Sequence, residues 1–512
     1  MKDHIMNIEL RKYTIQIDQL LLLLLVCLSF TAYVPIMKYM NIFILLLFSL
    51  SLIKGNALIQ TKTFITLLFT ASDYLIFFGS LVFIPLIIYQ YILKPQVNKV
   101  EITVLMFLLY ASFSCVIGMF QEVSLLSYPF WIVTFATSLF IFLYYLKSEF
   151  SKEDKNNILS FFYKIIVLQL LIAPIQIYLL LGRFKHGDSG VGSVGDAHVL
   201  GYYFMLLLIY ILVDVVVLKN KKLTVFSFLL MPFVFWVAYL VDAKMIYFLL
   251  VLAIPFYFLF FILLFQFLNK KMFSLKKIAT TFLFSSLIGL SLPVLVNYYL
   301  SQLPNAHGLT ISNVFETYLD VEYGHHGYKA EVYKRTYTEM YSDFPYLWYV
   351  FGTGPGKFDS RASNVLAYDT LAKEGKKLTV VPAFSSDMTK RYLTDLYTKE
   401  IKETAGSRSA ILSYPFAGLV SIKAESGLFG LLFYISICMY ISLLLIYKVS
   451  LNQGNIYNKS CVVLSFMFFS FPFLLFIDNF QEQPHFSFVL FLLAGLLLAQ
   501  EKKLKYKEVD DE

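Results

Sequence analysis

The 512-residue chain is 58% hydrophobic and 18% aromatic, with only 15% charged residues and a mean hydropathy of +0.69. Soluble domains carry about 25% charged residues, so this composition excludes an ordinary soluble enzyme. The net charge of +8 would suit a nucleic acid, but the charges fall in short loops between apolar runs, and no nucleic-acid partner is expected.

Those runs, roughly 17 to 25 residues each, are long enough to cross a hydrocarbon core of about 30 Å. They lack the short alternating pattern of a membrane barrel. The expected fold is all-α, a polytopic transmembrane bundle of about 12–14 spans. The first run, Leu20 to Ile36, follows Arg11 and Lys12 and superficially resembles a signal peptide. Further apolar runs follow at once, so an uncleaved span is expected. Residues 39–53 are short for a span and 63–93 are long for one. Counting each as one gives 13 spans and a displaced N-terminus, so 12 or 14 with both termini in the cytoplasm is preferred.

Further spans are expected near 101–120, 128–146, 158–181, 199–218, 223–240, 245–268, 278–300, 426–447, 460–477 and 486–499. Lys and Arg cluster at the cytoplasmic ends of spans. Here the clusters are "KPQVNK" (94–99), "KSEFSKEDKNN" (147–157), "KNKK" (219–222), "NKKMFSLKK" (269–277), "KVSLNQGNIYNK" (448–459) and "EKKLKYK" (501–507). Sidedness then puts 182–198, the "VDAK" turn at 241–244 and the long segment 301–413 on the opposite face. The domains expected are N-terminal spans (1–300), a large external loop domain (301–413), C-terminal spans (414–499) and a cytoplasmic tail (500–512). Cys27, Cys115, Cys438 and Cys461 all fall in apolar runs and read as small buried residues.

Segment 301–413 holds 13 basic and 13 acidic side chains and 11 tyrosines, too many aromatics for a disordered linker. "GYKAEVYKRTYTEMYSDF" reads as a helix with two stripes, Tyr333/Tyr337/Tyr341 and Glu331/Arg335/Glu339. A second helix is expected from Asp387, as N-cap, to Gly406, with Met388, Tyr392 and Leu396 on one face. Between them lies "FGTGPGKFDSR" (351–361). A phosphate loop needs Gly five residues before its Gly-Lys, and Ser or Thr after the Lys. Phe351 and Phe358 occupy those places, so a nucleotide cradle is excluded.

"YKRTYTEMYSDFPYLWYVFGTGPGKFDSR" followed by "AESGLFGLLFYI" resembles the O-antigen polymerase and O-antigen ligase superfamily of integral membrane glycosyltransferases. The parts that carry the likeness are Arg335, Asp343–Phe344–Pro345, the Gly352/Gly354/Gly356 turn, and Glu425–Ser426–Gly427 through Gly430. "GDSGVGSVGDAHVLGYY" (187–203) looks like the family's Gly-rich entry to a span, and Lys244 stands where many members carry a Ser-Arg pair. Many ligase-type members have a His-Asn pair about nine residues before the Glu. Here "SYPFAGLVSIKAE" has Phe416 and no histidine, which favours the polymerase type. The resemblance implies metal-independent transfer of glycan from an undecaprenyl diphosphate carrier at the periplasmic face of the bacterial inner membrane, with no cofactor and with a chain-length regulator as a further partner.

Such chemistry needs fixed cations for a departing lipid diphosphate, and the planar fork of Arg matches phosphate oxygens. Arg335 is the first candidate, its bland reading being one member of a solvated salt-bridge stripe. Arg183, Lys185 and His186 lie just past a span end, where snorkelling anchors are common. Lys244 sits in a four-residue turn at membrane depth, with Asp242 as a candidate partner. Lys357 and Arg361 follow the glycines Gly352, Gly354 and Gly356. A base for the acceptor hydroxyl would come from Glu425, His325, His326 or, near the Gly-rich loop, His198. No His/Cys/Asp/Glu set has metal-ligand spacing, so no metal is expected. Three functions compete: polymerisation of lipid-linked repeat units, ligase-type transfer to a lipid or protein acceptor, and flipping of a lipid-linked oligosaccharide. Transporters usually spread charges through several spans and show two similar halves, whereas this chain has one large external domain late in its length.

Overall fold

The computed structural model describes residues 2–30, 39–120, 126–181, 191–216, 221–241, 331–343, 345–363, 386–393, 417–449, 456–477 and 479–501, with short pieces between 253 and 260. Among them every regular element is helical, and the one β-contact is an isolated bridge between Phe150 and Glu501. The early helices are α1 (Lys2–Ser29), α2 (Met40–Ile53), α3 (Ala57–Thr70), α4 (Asp73–Ser80), α5 (Phe83–Leu93) and α6 (Lys99–Met119). Then come α7 (Ser127–Lys147), α8 (Lys152–Leu181), α9 (Ala197–Val216) and α10 (Lys221–Leu240). Residues 331–343 form α11, followed by α12 (Pro345–Tyr349), α13 (Asp387–Tyr392), α14 (Gly418–Tyr447), α15 (Ile456–Ile477) and α16 (Pro484–Leu498). Among the described residues six helical segments are long and apolar enough to span a membrane: α4 with α5, α6, α7, α8, α14 and α15. The protein is a helical membrane protein.

The long run 63–93 is not one span. The chain breaks at Ala71 and Ser72, both extended, and α4 starts afresh with Asp73 in its first turn. The shorter apolar segments Ile15–Ser29, Met40–Ile53 and Ala57–Thr70 and one span, α4 with α5, therefore precede Lys94 among the described residues. Asn41 at the start of α2 bonds the Thr70 carbonyl at the end of α3 (3.1 Å). Asp18 of α1 holds Lys62 of α3 at 2.7 Å. Lys94 closes α5 at one end of the bundle.

That end is assembled from the basic loops. Lys147 donates to the carbonyls of Lys94 (2.8 Å) and Gln96 and pairs with Glu101 at 3.2 Å. Lys94 meets Glu149 at 2.7 Å, and Lys155 caps α16 through the Ala499 carbonyl at 2.6 Å. The charge clusters of three separate loops thus meet at one level, as lysines at a single membrane face would.

The bundle core is built from α6, α7, α9, α14, α15 and α16, filled with interlocking aromatics such as Phe107, Phe135, Tyr434 and Phe471. A second, smaller core joins α11 and α13 to the base of α14. It contains Val332, Met340, Phe358, Met388, Tyr392, Val420 and Ala424.

Candidate functional site

Helices α11 and α13 depart from the expected pattern for local reasons. In α11 the pair Arg335–Glu331 forms at four-residue spacing (3.1 Å), and Tyr333 stacks on Tyr337. From Arg335 to Glu339 the helix widens into a π-turn, which adds a residue and rotates everything after it. Tyr341 therefore packs on Tyr349 of the next helix, and Glu339 is exposed. In α13 the N-cap is Ser386, whose hydroxyl accepts from Met388 N–H at 3.1 Å, and Asp387 is the first helical residue. Met388 and Tyr392 share the buried face as expected; Leu396 and Gly406 lie outside the described residues.

The glycine turn is not on a solvated surface. Residues 352–360 are all buried, and their backbone fills a gap in α14. At Gly427 (φ 73°, ψ 175°) α14 leaves helical geometry, which strips partners from the preceding carbonyls. Each is satisfied from elsewhere. Ala424 O accepts Thr353 N–H at 2.8 Å, Glu425 O accepts Gly354 N–H at 3.0 Å and the Ser114 hydroxyl at 3.0 Å, and Ser426 O accepts the Tyr110 hydroxyl at 2.9 Å. Contact this close requires glycine. A Cβ on Gly352 (φ +65°) would sit 2.4 Å from the Glu425 carbonyl carbon, and one on Gly427 would sit 2.5 Å from Val350 O. Gly354 and Gly356 also take left-handed backbone.

What the turn holds is a carboxyl group of the protein's own. The Glu425 carboxyl, 3% exposed, accepts the Phe358 N–H at 3.0 Å, and Gly356 N–H and the Ser360 hydroxyl bond it as well. The backbone of the turn curls around that carboxyl as a nest. Lys357 is buried and donates to Gly118 O at 2.8 Å, while its own carbonyl accepts from Thr389 at 3.0 Å. Lys357 therefore stitches α6, the turn and α13 together.

Arg361 leads into a buried ionic network. The Arg361 guanidinium pairs with Asp73 at the start of α4, and the Arg361 backbone N–H donates to the Glu482 side chain at 2.6 Å. Glu482 also receives the Asn479 amide and, at 3.0 Å, the hydroxyl of Thr134. Thr134 belongs to the π-turn Ile132–Ala136 inside α7. Burial pushes the Glu482 carboxyl above its ordinary range, while the Arg361 N–H, Asn479 and Thr134 bonds pull it back. His485 contacts Asp73 through Nε2 (2.9 Å) and the Leu68 carbonyl through Nδ1 (2.5 Å). Both ring nitrogens face acceptors, so the doubly protonated ring satisfies both. Asp196, before α9, lies close enough to act on that charge. Between the two carboxylates is a cavity of about 10 Å³, walled by Trp131, Phe135, Pro355, Glu425 and Glu482, room for about one water.

Arg335 stands at the edge of this assembly. Its guanidinium is oriented by Glu331 and by the Tyr392 carbonyl (2.8 Å), and its side chain keeps 16% exposure. The neighbouring Thr336 carbonyl accepts a bond from Lys423 Nζ at 2.9 Å, which ties α11 to α14 two residues before Glu425. Of the candidates read from sequence, Arg335, Glu425, Gly352, Gly354, Gly356, Lys357 and Arg361 are thus brought into one connected region. His198 is exposed near the start of α9 and bonds none of them. Arg183, Lys185, His186, Lys244, His325 and His326 lie outside the described residues, as does Asp242. Sequence reasoning missed Asp73, Lys423, Glu482 and His485. The available signal was polarity in apolar surroundings: "IDNFQEQPH" separates two greasy runs, and a lone Asp opens a third.

No protein-family model matches the chain, and a search of curated proteins finds no match.

Proposed function

We propose that the protein polymerises lipid-linked oligosaccharide repeat units into a surface polysaccharide, by metal-independent glycosyl transfer from an undecaprenyl diphosphate donor at the periplasmic face of the inner membrane. The observation that carries this reading is a convergence. The Arg335 helix, the glycine turn and the Glu-Ser-Gly segment, which together support the superfamily resemblance, are joined in space by Lys423–Thr336, Thr353–Ala424, Gly354–Glu425 and Phe358–Glu425 bonds.

In this reading Arg335 meets the developing charge on the leaving diphosphate. Its guanidinium is preoriented by Glu331 and the Tyr392 carbonyl and stays partly open to solvent, so little reorganisation is needed when charge appears. One such donor is typically worth about 10²–10³ in rate. Glu425 is enclosed by the turn, and its role is to hold the turn's backbone in place. Lys357 and Arg361 do the same for the flanks.

The test is deletion of the gene followed by analysis of lipid-linked and surface glycan. Polymerase loss leaves surface glycan capped with a single repeat unit. Full-length polymer accumulating on its lipid outside the membrane would refute polymerisation and point to a ligase; accumulation on the cytoplasmic face would point to a flippase. Arg335→Ala in a well-expressed protein should reproduce the deletion, and normal chain length in that variant would remove Arg335 from the mechanism.

A further inference from the structure

Two interrupted helices meet at the small cavity behind the glycine turn. Glu425 and Ser426 come from α14 just before it leaves helical geometry at Gly427, and Ser421 comes from one turn earlier. Gln481 and Glu482 come from the short 3₁₀ turn Phe480–Glu482, which links α15 to α16. All five side chains line the cavity, each residue is at most 5% exposed, and the glycine turn and aromatic rings close the rest. An interrupted span leaves polar groups that the protein itself must satisfy.

The hydrogens of these groups are already committed. The Ser421 hydroxyl donates to Gly418 O (3.2 Å), that of Ser426 to Ile422 O, and that of Ser360 to the Glu425 carboxyl. The Gln481 amide nitrogen donates to Ser421 Oγ at 3.1 Å, which leaves Gln481 Oε1, in a residue 1% exposed, without a hydrogen-bond partner. Neutral donors alone bond the two carboxyls. They are Phe358 N–H, Gly356 N–H and Ser360 for Glu425, and Arg361 N–H, Asn479 and Thr134 for Glu482. Among the described residues no cationic side chain bonds either carboxyl, and the guanidinium of Arg361 is taken by Asp73.

The cavity thus gathers oxygen lone pairs, which suit a cation and repel an anion. A buried carboxylate without a counter-charge is costly, and two side by side do not ionise together. The room, about 10 Å³, admits one particle of about the size of a water, so an ion there sheds its hydration shell. Mg²⁺ keeps several waters, and Ca²⁺ takes about six to eight oxygens, more than these five side chains supply beside their existing bonds.

We propose that this cavity binds one dehydrated sodium ion, held by Glu425, Glu482, Gln481 Oε1 and the hydroxyl oxygens of Ser421 and Ser426. The ion supplies the counter-charge for one carboxylate while the other carboxyl keeps its proton. It clamps the glycine turn and α14 onto the link between α15 and α16. Its ligands are oxygens alone, unlike the His and Cys sets whose spacing the sequence lacks. This assignment is independent of which reaction the protein performs.

The test is equilibrium binding of radioactive sodium to full-length protein in mixed micelles at mildly alkaline pH, with N-methylglucamine chloride holding ionic strength constant. Saturable binding of one ion per chain is expected, displaced by unlabelled sodium chloride and weakened severalfold or more in Glu482→Gln. In unsubstituted protein sodium should also raise the unfolding midpoint along the same saturation curve, as a ligand of the folded state does. Ser426→Ala, which removes one hydroxyl, should weaken binding severalfold and locates the site should Glu482→Gln fail to fold. Absence of saturable binding to folded, unsubstituted protein overturns the proposal and leaves the cavity to a water. Binding unchanged in a folded variant overturns it too, because the ion then lies elsewhere.

Discussion

Gly352→Ala is the sharpest test of the interlocked turn and broken helix. The added Cβ would lie 2.4 Å from the Glu425 carbonyl carbon and 2.5 Å from the carbonyl oxygens of both Ala424 and Glu425. All three are backbone atoms, so no flexible side chain can yield. Left-handed backbone at φ +65° adds about 1–2 kcal/mol for a residue bearing a Cβ, and overpacking typically adds about 1–3 kcal/mol. The expected loss is therefore about 2–5 kcal/mol. Relief of the overlap would also separate Thr353 N–H from Ala424 O and Gly354 N–H from Glu425 O. Gly55 supplies the control: its φ of +64° is nearly identical, but nothing lies within 4 Å of a Cβ built there. Gly55→Ala should thus show the backbone cost alone, about 1–2 kcal/mol. Equilibrium unfolding in mixed micelles compares the two. If Gly352→Ala is no more destabilising than Gly55→Ala, the turn is not packed against α14 as described.

The ionic network gives a second comparison. Arg361→Met leaves Asp73 with His485 alone and should cost about 3 kcal/mol, the lower end for breaking a buried pair. Adding Asp73→Asn should recover part of that loss in a double-mutant cycle, and strict additivity would refute the pairing. Thr134→Val removes one donor from Glu482 and should cost about 1 kcal/mol, measured by the same unfolding assay. Lys94→Ala deletes an ion pair whose partners are both about half exposed, so a change beyond about 1 kcal/mol would mean that the basic end is more tightly built than its exposure implies.

What the sequence made legible was whatever depends on composition or on neighbours in the chain. The membrane class follows from apolar run length, and the Glu331–Arg335 pair follows from four-residue spacing. The lysine clusters predict loops that share an end, and the bonds among Lys94, Lys147, Lys155 and their acceptors bring three of those loops together. Periodicity failed where the backbone changed its own period: the π-turn at Arg335–Glu339 moved Tyr341 and Glu339 off their stripes. The break after α3 was hidden because Ala71 and Ser72 interrupt hydropathy only weakly. Spacing rules showed that the glycine turn is not a nucleotide loop. They could not show what it binds, because its acceptors are carbonyls exposed by a helix break some seventy residues later. Asp73, Glu482 and His485 were invisible for the same reason. Each is an unremarkable polar residue until the fold brings it to Arg361.

The reach of Arg361 also bears on how the protein is made. Its partners are Asp73, 288 positions earlier, and Glu482, 121 positions later. During synthesis the glycine turn and Arg361 emerge well before α14 and the 479–485 segment exist. The region must therefore wait, with Arg361 paired to Asp73 but its backbone N–H lacking Glu482 and Asp73 lacking His485, until the 479–485 segment arrives. Contacts this non-local form late and slowly. A chain that stops short of residue 482 keeps the Arg361–Asp73 pair but leaves the Arg361 N–H and the Thr134 hydroxyl without their Glu482 acceptor.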